Sequence, residues 1–256
     1  MIPEETGPEL MIRPYQPAGP RSSGGDPRSL GGGPRSSGGD PCSSGGDRAA
    51  LFQIGGDTAF FGAPIEFYME DRRIFLDSFY AYYTDYPLYC EGYEPEHTWV
   101  ACAGGQVVGF LTGCTDTHHQ ERILLRKLIP GVAWRLLQGY YHPGKKTWRY
   151  VRAIISAGLR REVPLANLKL YPAHLHINLA AEWRGYGLGK RLMQAYLAQL
   201  KQLGVRGMHL GTTSMNEIAC RMYERTGFHL LDARPTRMWA GLIDHPVENR
   251  CYGMEL

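Results

Sequence analysis

The sequence predicts a mixed α/β (α+β) domain with a central sheet of about seven strands flanked by helices. Three observations carry this prediction. Short runs alternate polar and apolar residues, as strands do. Longer segments place apolar residues at three- and four-residue spacing, as amphipathic helices do. Their order along the chain is β–α–(α)–β–β–insert–β–α–β–α–β–β, which joins a hairpin to strand–helix–strand units.

Composition narrows the function classes. The chain has 256 residues and a formal net charge of +3, too mild to imply a nucleic-acid partner. No run approaches the 18 apolar residues of a membrane-spanning helix, and the N-terminus MIPEETGPEL has no secretory apolar core. The six cysteines show no CxxC pair, which argues against common zinc-finger spacings and a disulfide scaffold. These features predict a cytoplasmic chain with reduced thiols and no bound metal.

Residues 10–15 (LMIRPY) read as a strand that Pro14 keeps at an edge. Residues 20–47 are four heptads end to end, PRSSGGD, PRSLGGG, PRSSGGD and PCSSGGD, and ten of the 32 glycines lie between Gly19 and Gly46. Such a tract buries too little to offset its ordering entropy, so it is expected to be a disordered insertion inside a domain over residues 10–256, with 1–9 a tail. Asp47 reads as the N-cap of a helix over 48–54. Residues 64–86 form an aromatic-rich helical segment. Phe75 and Phe79 are expected in the core. Tyrosines 80, 82, 83, 86, 89 and 93 make the end of this segment and its loop Tyr-rich, and the later ones, among Pro87, Gly92 and Pro95, are expected to line a ligand cleft.

Residues 97–103 and 106–113 read as a hairpin about Gly104-Gly105. Residues 117–163 read as a basic helical insertion, broken at Pro143-Gly144 and with a further break expected at Pro130-Gly131. Residues 121–170 hold eleven Lys/Arg against Glu121 and Glu162. Such a segment suits a solvated face, a membrane surface, an acidic partner or an anionic substrate.

Residues 174–179 (HLHINL) read as a strand. Residues 187–203 read as a helix with Leu188, Leu192, Tyr196 and Leu200 on one stripe. Then follow a strand (208–211), a helix (216–225) closed by Gly227, and two strands (228–232 and 250–256).

The chemistry is concentrated in the loop Arg184-Gly185-Tyr186-Gly187-Leu188-Gly189-Lys190. Glycines before a helix open a ring of backbone N–H groups, which with the helix dipole suits a pyrophosphate. The spacing G-x-G-x-G does not match the dinucleotide fingerprint, and Arg191 after Lys190 excludes a Walker A loop. His174, His176 and Asn178 share one face of their strand. A metal reading of His-x-His has no third ligand in view.

Arg184-x-x-Gly187-x-Gly189 resembles the pyrophosphate-binding motif Q/R-x-x-G-x-G/A of the GNAT superfamily of acetyl-CoA-dependent N-acetyltransferases. Asn216-Glu-Ile-Ala-Cys-Arg-Met-Tyr223-Glu-Arg-Thr-Gly-Phe228 resembles that family's second motif. HLHINL, HLGTT and RMYERTGF together resemble bacterial members related to the C-terminal domain of O-GlcNAcase. The resemblance covers roughly residues 97–256 with the preceding strand and helix. The helical insertion and the heptads depart from the minimal pattern.

The resemblance implies a mostly antiparallel sheet and acetyl-CoA as co-substrate. Its pyrophosphate would lie on the N–H groups of residues 184–190. The strand around Ile177 and Leu179 would splay from residues 208–211 to receive the pantetheine amides, with the Leu179 N–H toward the thioester oxygen. Tyr223 would be the general acid, and Asn216 would contact the cofactor or cap its own helix. His176 is the first choice of base. The expected reaction is direct transfer of an acetyl group to a primary amine, a small molecule or a peptide. A catalytically silent acyl-CoA-binding or partner-binding module is the alternative, and homodimerisation stays open.

Overall fold

The computed structural model describes residues 8–17, 46–84 and 93–256. The heptad reading over residues 20–45, and Tyr86 and Tyr89, lie outside them. Seven strands form one sheet in the order β1–β2–β3–β4–β5–β7–β6. They are β1 (Leu10–Pro14), β2 (Thr98–Ala103), β3 (Gln106–Cys114), β4 (Ala173–Leu179), β5 (Gly207–Thr213), β6 (His229–Thr236) and β7 (Val247–Glu255). Every neighbouring pair is antiparallel except β4 and β5. Gly104 and Gly105, at φ +52° and +79°, close the β2–β3 turn, a backbone that side chains with a Cβ seldom adopt.

Helix α1 (Asp47–Asp57) begins one residue earlier than expected, and Gly46 occupies the N-cap position. The Asp47 carboxylate caps nothing. It turns back to β1, where Arg13 donates from both terminal nitrogens at 2.7 and 2.8 Å and the Gln16 N–H donates at 2.7 Å. Both side chains are buried. The Asp47 N–H in turn donates to the Gln16 carbonyl. The chain therefore leaves β1 and enters α1 at one point, with residues 18–45 between.

The aromatic segment is not one helix. A 3₁₀ turn (Ile65–Phe67) is followed by α2 (Arg72–Phe75), a wide π turn (Leu76–Tyr80) and a second 3₁₀ turn (Ala81–Tyr83). Asp71 starts α2 by accepting the Arg73 N–H. Tyr93, expected to line a cleft, is a core residue instead, buried with Tyr80, Tyr82, Tyr83, Leu51, Val100 and Phe110. The hydroxyls of Tyr80, Tyr82 and Tyr83 find partners inside. Tyr82 donates to Glu94 at 3.0 Å and Tyr80 to Asn178 at 3.2 Å.

In the helical insertion, α3 (Thr117–Ile123) runs through a π turn into α4 (Ile129–Leu137). Pro130 does not break it. The wide turn over Leu124–Leu128 immediately precedes Pro130, where the helical ladder has already shifted and a missing N–H is tolerated. The break at Pro143-Gly144 stands. Beyond it, Glu70 caps α5 (Lys145–Leu159) from another segment, accepting the N–H groups of Gly144, Lys146 and Thr147 at 2.8–3.1 Å.

One core lies under α6 (Leu188–Gln202), whose Leu188, Leu192, Tyr196 and Leu200 are fully buried against β-sheet residues such as Met208 and Leu210. Tyr196 fits because Gly113 of β3 has no side chain: a Cβ there would lie 2.3 Å from the tyrosine ring. Its hydroxyl donates to the Cys114 carbonyl at 2.9 Å, with the His174 carbonyl at 3.2 Å. Helix α7 (Glu217–Thr226) ends at Gly227, φ +104°.

Candidate active site

Strands β4 and β5 pair only at Ala173–Met208 and His174–His209 and then part. β4 stays on β3 as far as Leu179, and β5 stays on β7 as far as Thr213, so the gap opens inside the sheet. The Ala180 N–H donates to the Val108 carbonyl at 2.9 Å. Antiparallel bonding alternates, so His176 and Asn178 also bond to β3, whereas Ile177 and Leu179 turn their N–H and C=O groups toward the gap. The splay expected from the motif is present.

The loop after β4 is shaped by Arg184 and two glycines. Nε and Nη2 of Arg184 both donate to the Leu179 carbonyl at 3.2 Å, tying the loop back to the strand end. Its guanidinium also lies against Gly62, where a Cβ would come within 2.7 Å. Gly185 and Gly187 adopt φ +88° and +75°, and a Cβ at either would meet nothing within 4 Å. Conformation, not crowding, therefore requires glycine there. Gly189 differs. It lies in the first turn of α6, and its Cβ would sit 3.2 Å from the Met222 sulfur, so it serves the packing of α6 on α7. No side chain caps α6. The N–H groups of Leu188, Gly189 and Lys190 have no intrahelical acceptors and lie at the positive end of the helix dipole. Tyr186 is exposed beside Trp183, with ring centroids 5.7 Å apart.

Tyr223 is buried on α7, its ring about 6.0 Å from those of Phe228 and Tyr252. Burial pushes its phenol well above the ordinary range. Asn216 caps α7 by accepting the Ala219 N–H at 3.3 Å.

The three polar residues of one β4 face meet different fates. Thr117 Oγ1 donates to the Pro172 carbonyl at 2.7 Å, so it must accept from His174 Nδ1, also at 2.7 Å. His174 Nε2 is then the acceptor for the Tyr83 hydroxyl at 2.7 Å. Both nitrogens of this buried imidazole are used. Asn178 donates to Thr58 Oγ1 at 2.7 Å and accepts from Tyr80. His176 is half-buried against Phe79, ring centroids 4.4 Å apart. Burial lowers its imidazole to about 4, with His209 adding to the effect. It is the histidine of this pair that is not saturated by the fold.

His209 escaped the sequence reading. It sits on β5 across from His174, ring centroids 5.8 Å apart. The run MHLG reads as a buried strand, and only its alternation could have placed His209 on the polar face. Among the described residues no cluster of three or more His, Cys, Asp or Glu could hold a metal, and no helix is long and apolar enough to cross a membrane.

A seven-stranded sheet that splits beside a glycine loop at a helix N-terminus is the architecture of a GNAT-like fold. Residues 164–228, from the approach to β4 through α7, match the model of the Acetyltransferase (GNAT) family. Over 56 residues the chain is 39% identical to the mycothiol acetyltransferase of Nocardiopsis dassonvillei. That stretch is 22% of this chain and spans only 17% of the relative's length. The crystal structure of SsHAT matches with a TM-score of 0.62 at 28% identity, covering 97% of this chain and 98% of that one. An N-acetyltransferase of Staphylococcus aureus Mu50 matches at 0.46 and 14% identity, covering 96% and 98%. The chain resembles the GNAT acetyltransferases in motif segment and in fold.

Proposed function

We propose that the chain is an acetyl-CoA-dependent N-acetyltransferase that passes the acetyl group directly to a primary amine. The observation that carries this reading is the gap between β4 and β5, with the backbone of Ile177 and Leu179 on one wall and the N-terminus of α6 beyond it. Amides of a pantetheine arm would complete the ladder that β5 leaves open. The N–H groups from Arg184 to Lys190, through Gly185, Tyr186, Gly187, Leu188 and Gly189, would hold the pyrophosphate. Acetyl-CoA supplies the activated thioester.

The chain's own residues then have distinct tasks. The Leu179 N–H offers a donor to the carbonyl oxygen as it gains charge, and Arg184 steadies the following peptide by holding the Leu179 carbonyl. Tyr223, kept protonated by burial, donates to the departing thiolate. His176 is neutral at pH 7 and able to accept a proton from the amine, and its low basicity favours a relay through water. Asn216 steadies α7 beneath Tyr223. The acceptor is a small-molecule or peptide amine, and the compartment is the cytoplasm. Residues 10–256 form one domain carrying two insertions.

Thiol release from acetyl-CoA, measured across small amines, peptide N-termini, lysines and aminosugars, tests the reading. Tyr223→Phe is expected to lower kcat by about 10²–10⁴-fold with CoA affinity unchanged. Binding of acetyl-CoA without turnover on any amine would mean a silent binding module. No binding at all would overturn the reading.

A further inference from the structure

Helix α5 turns its apolar row away from the protein. Trp148, Ile155 and Leu159 follow one another at seven- and four-residue spacing, on one side of the helix. They are 48%, 58% and 82% exposed. The other side holds buried Thr147 and Ala157, and Tyr150, which stacks on Trp239 at 5.7 Å. An ordinary surface helix does the reverse, burying its apolar stripe.

Cations border this row. Lys145 and Arg152 project into the same outward sector and are exposed, and neither appears in an ion pair among the described residues. The imbalance is regional. Residues 121–170 hold eleven Lys/Arg against two carboxylates, whereas the rest of the chain holds seventeen against twenty-three. One of those two carboxylates, Glu162, is already engaged by Arg160, Thr236 and Arg237.

We infer that α5 is a docking surface for an anionic lipid bilayer. Its fifteen residues give a rod of roughly 22 Å, too short to cross a bilayer and suited to lying in its surface. The apolar row enters the headgroup boundary, Trp148 sits at the polar–apolar transition, and Lys145 and Arg152 meet lipid phosphates. A second copy of the chain fits the face less well, because two-fold pairing would bring the same cations together. An acidic protein would satisfy the charge, whereas a bilayer satisfies both the charge and a straight row of large apolar tips.

Vesicle flotation of the whole chain tests this. Binding to phosphatidylglycerol-containing vesicles should exceed binding to pure phosphatidylcholine by at least about tenfold and should weaken between about 0.05 M and about 0.5 M salt. Ile155→Ser with Leu159→Ser, and separately Lys145→Glu with Arg152→Glu, should each abolish it while the thermal melt stays unchanged, since all four side chains are exposed. The blue shift of tryptophan emission on binding should shrink in Trp148→Phe. Equal flotation with both lipids, or none, would overturn the inference. So would a dimer in sedimentation velocity that the Ile155→Ser/Leu159→Ser variant dissolves, because the face would then join two copies. Capture by soluble polyglutamate without vesicle binding would overturn it in favour of an acidic protein partner.

Discussion

Two strand-to-helix junctions in this molecule make the same kind of connection in opposite ways. From β4 to α6 the chain takes eight residues, 180–187; from β1 to α1 it takes thirty-two, 15–46. The short junction is specified residue by residue, with left-handed Gly185 and Gly187 and the Arg184 guanidinium on the Leu179 carbonyl. In the long one the ends are clasped together by Arg13, Gln16 and Asp47. A junction can thus be defined by its own backbone or have its ends held by a clasp. The first kind presents a fixed array of N–H groups to a ligand.

The comparison breaks most visibly at the clasp. Asp47→Ala removes one partner of the buried Arg13–Asp47 pair and is expected to cost about 3–5 kcal/mol in urea unfolding. The apolar pair Arg13→Met with Asp47→Leu should cost less than Asp47→Ala alone, because both members of the buried pair are then replaced together. A double variant as costly as the single one would mean the ion pair is not what holds the ends.

Next comes the short junction. Gly187→Val forces a β-branched residue to φ near +75°, a strain of about 1–3 kcal/mol. Calorimetric affinity for acetyl-CoA should fall at least about tenfold while the chain still melts cooperatively. Unaltered affinity would separate the glycine loop from ligand binding.

Deleting residues 18–45 should change stability by at most about 1–2 kcal/mol, because loop-closure entropy grows only with the logarithm of length. The cut must spare Asp47, which the heptad pattern assigns to the repeat tract but which belongs to α1. Removing residues 1–45 instead takes β1 and Arg13 away and should destabilise far more. Equal melting temperatures for the two deletions would make β1 dispensable.

A further effect concerns pH. His176 has a folded-state value of about 4 against roughly 6.5 in an unfolded chain. Its neutral burial therefore contributes fully above about pH 6.5, and that contribution is lost as pH falls toward 4. His176→Gln should flatten the melting temperature across that window, and an unchanged slope would assign the acid sensitivity to His174 or His209.

What was legible in the sequence was written in local pattern. The α6 stripe, the left-handed glycines, and Asn216 and Gly227 at the ends of α7 are each recognisable within a turn or two of chain. What stayed hidden depends on partners far along it. Asp47 reads as a cap until Arg13, 34 residues away, claims it. Tyr83 reads as one of a run of tyrosines until His174 accepts its hydroxyl. His174 and His176 stand two residues apart on one face. Only the contacts of Thr117 and Tyr83, 57 and 91 residues distant, distinguish the saturated imidazole from the available one.

The hole that Gly113 leaves for Tyr196 makes two distant positions a single mutational unit. The tyrosine hydroxyl fastens β3 to β4 beside the last residues that β4 shares with β5, and the glycine is what lets its ring lie there. Gly113→Ala should be strongly destabilising with Tyr196 present. It should be nearly silent where Tyr196→Leu has already emptied the space, with a coupling of about 1–3 kcal/mol in a double-mutant cycle. The glycine is then not free to drift alone. A sequence that replaces the glycine must already have lost the tyrosine, so the order in which the two changes occur is fixed by geometry.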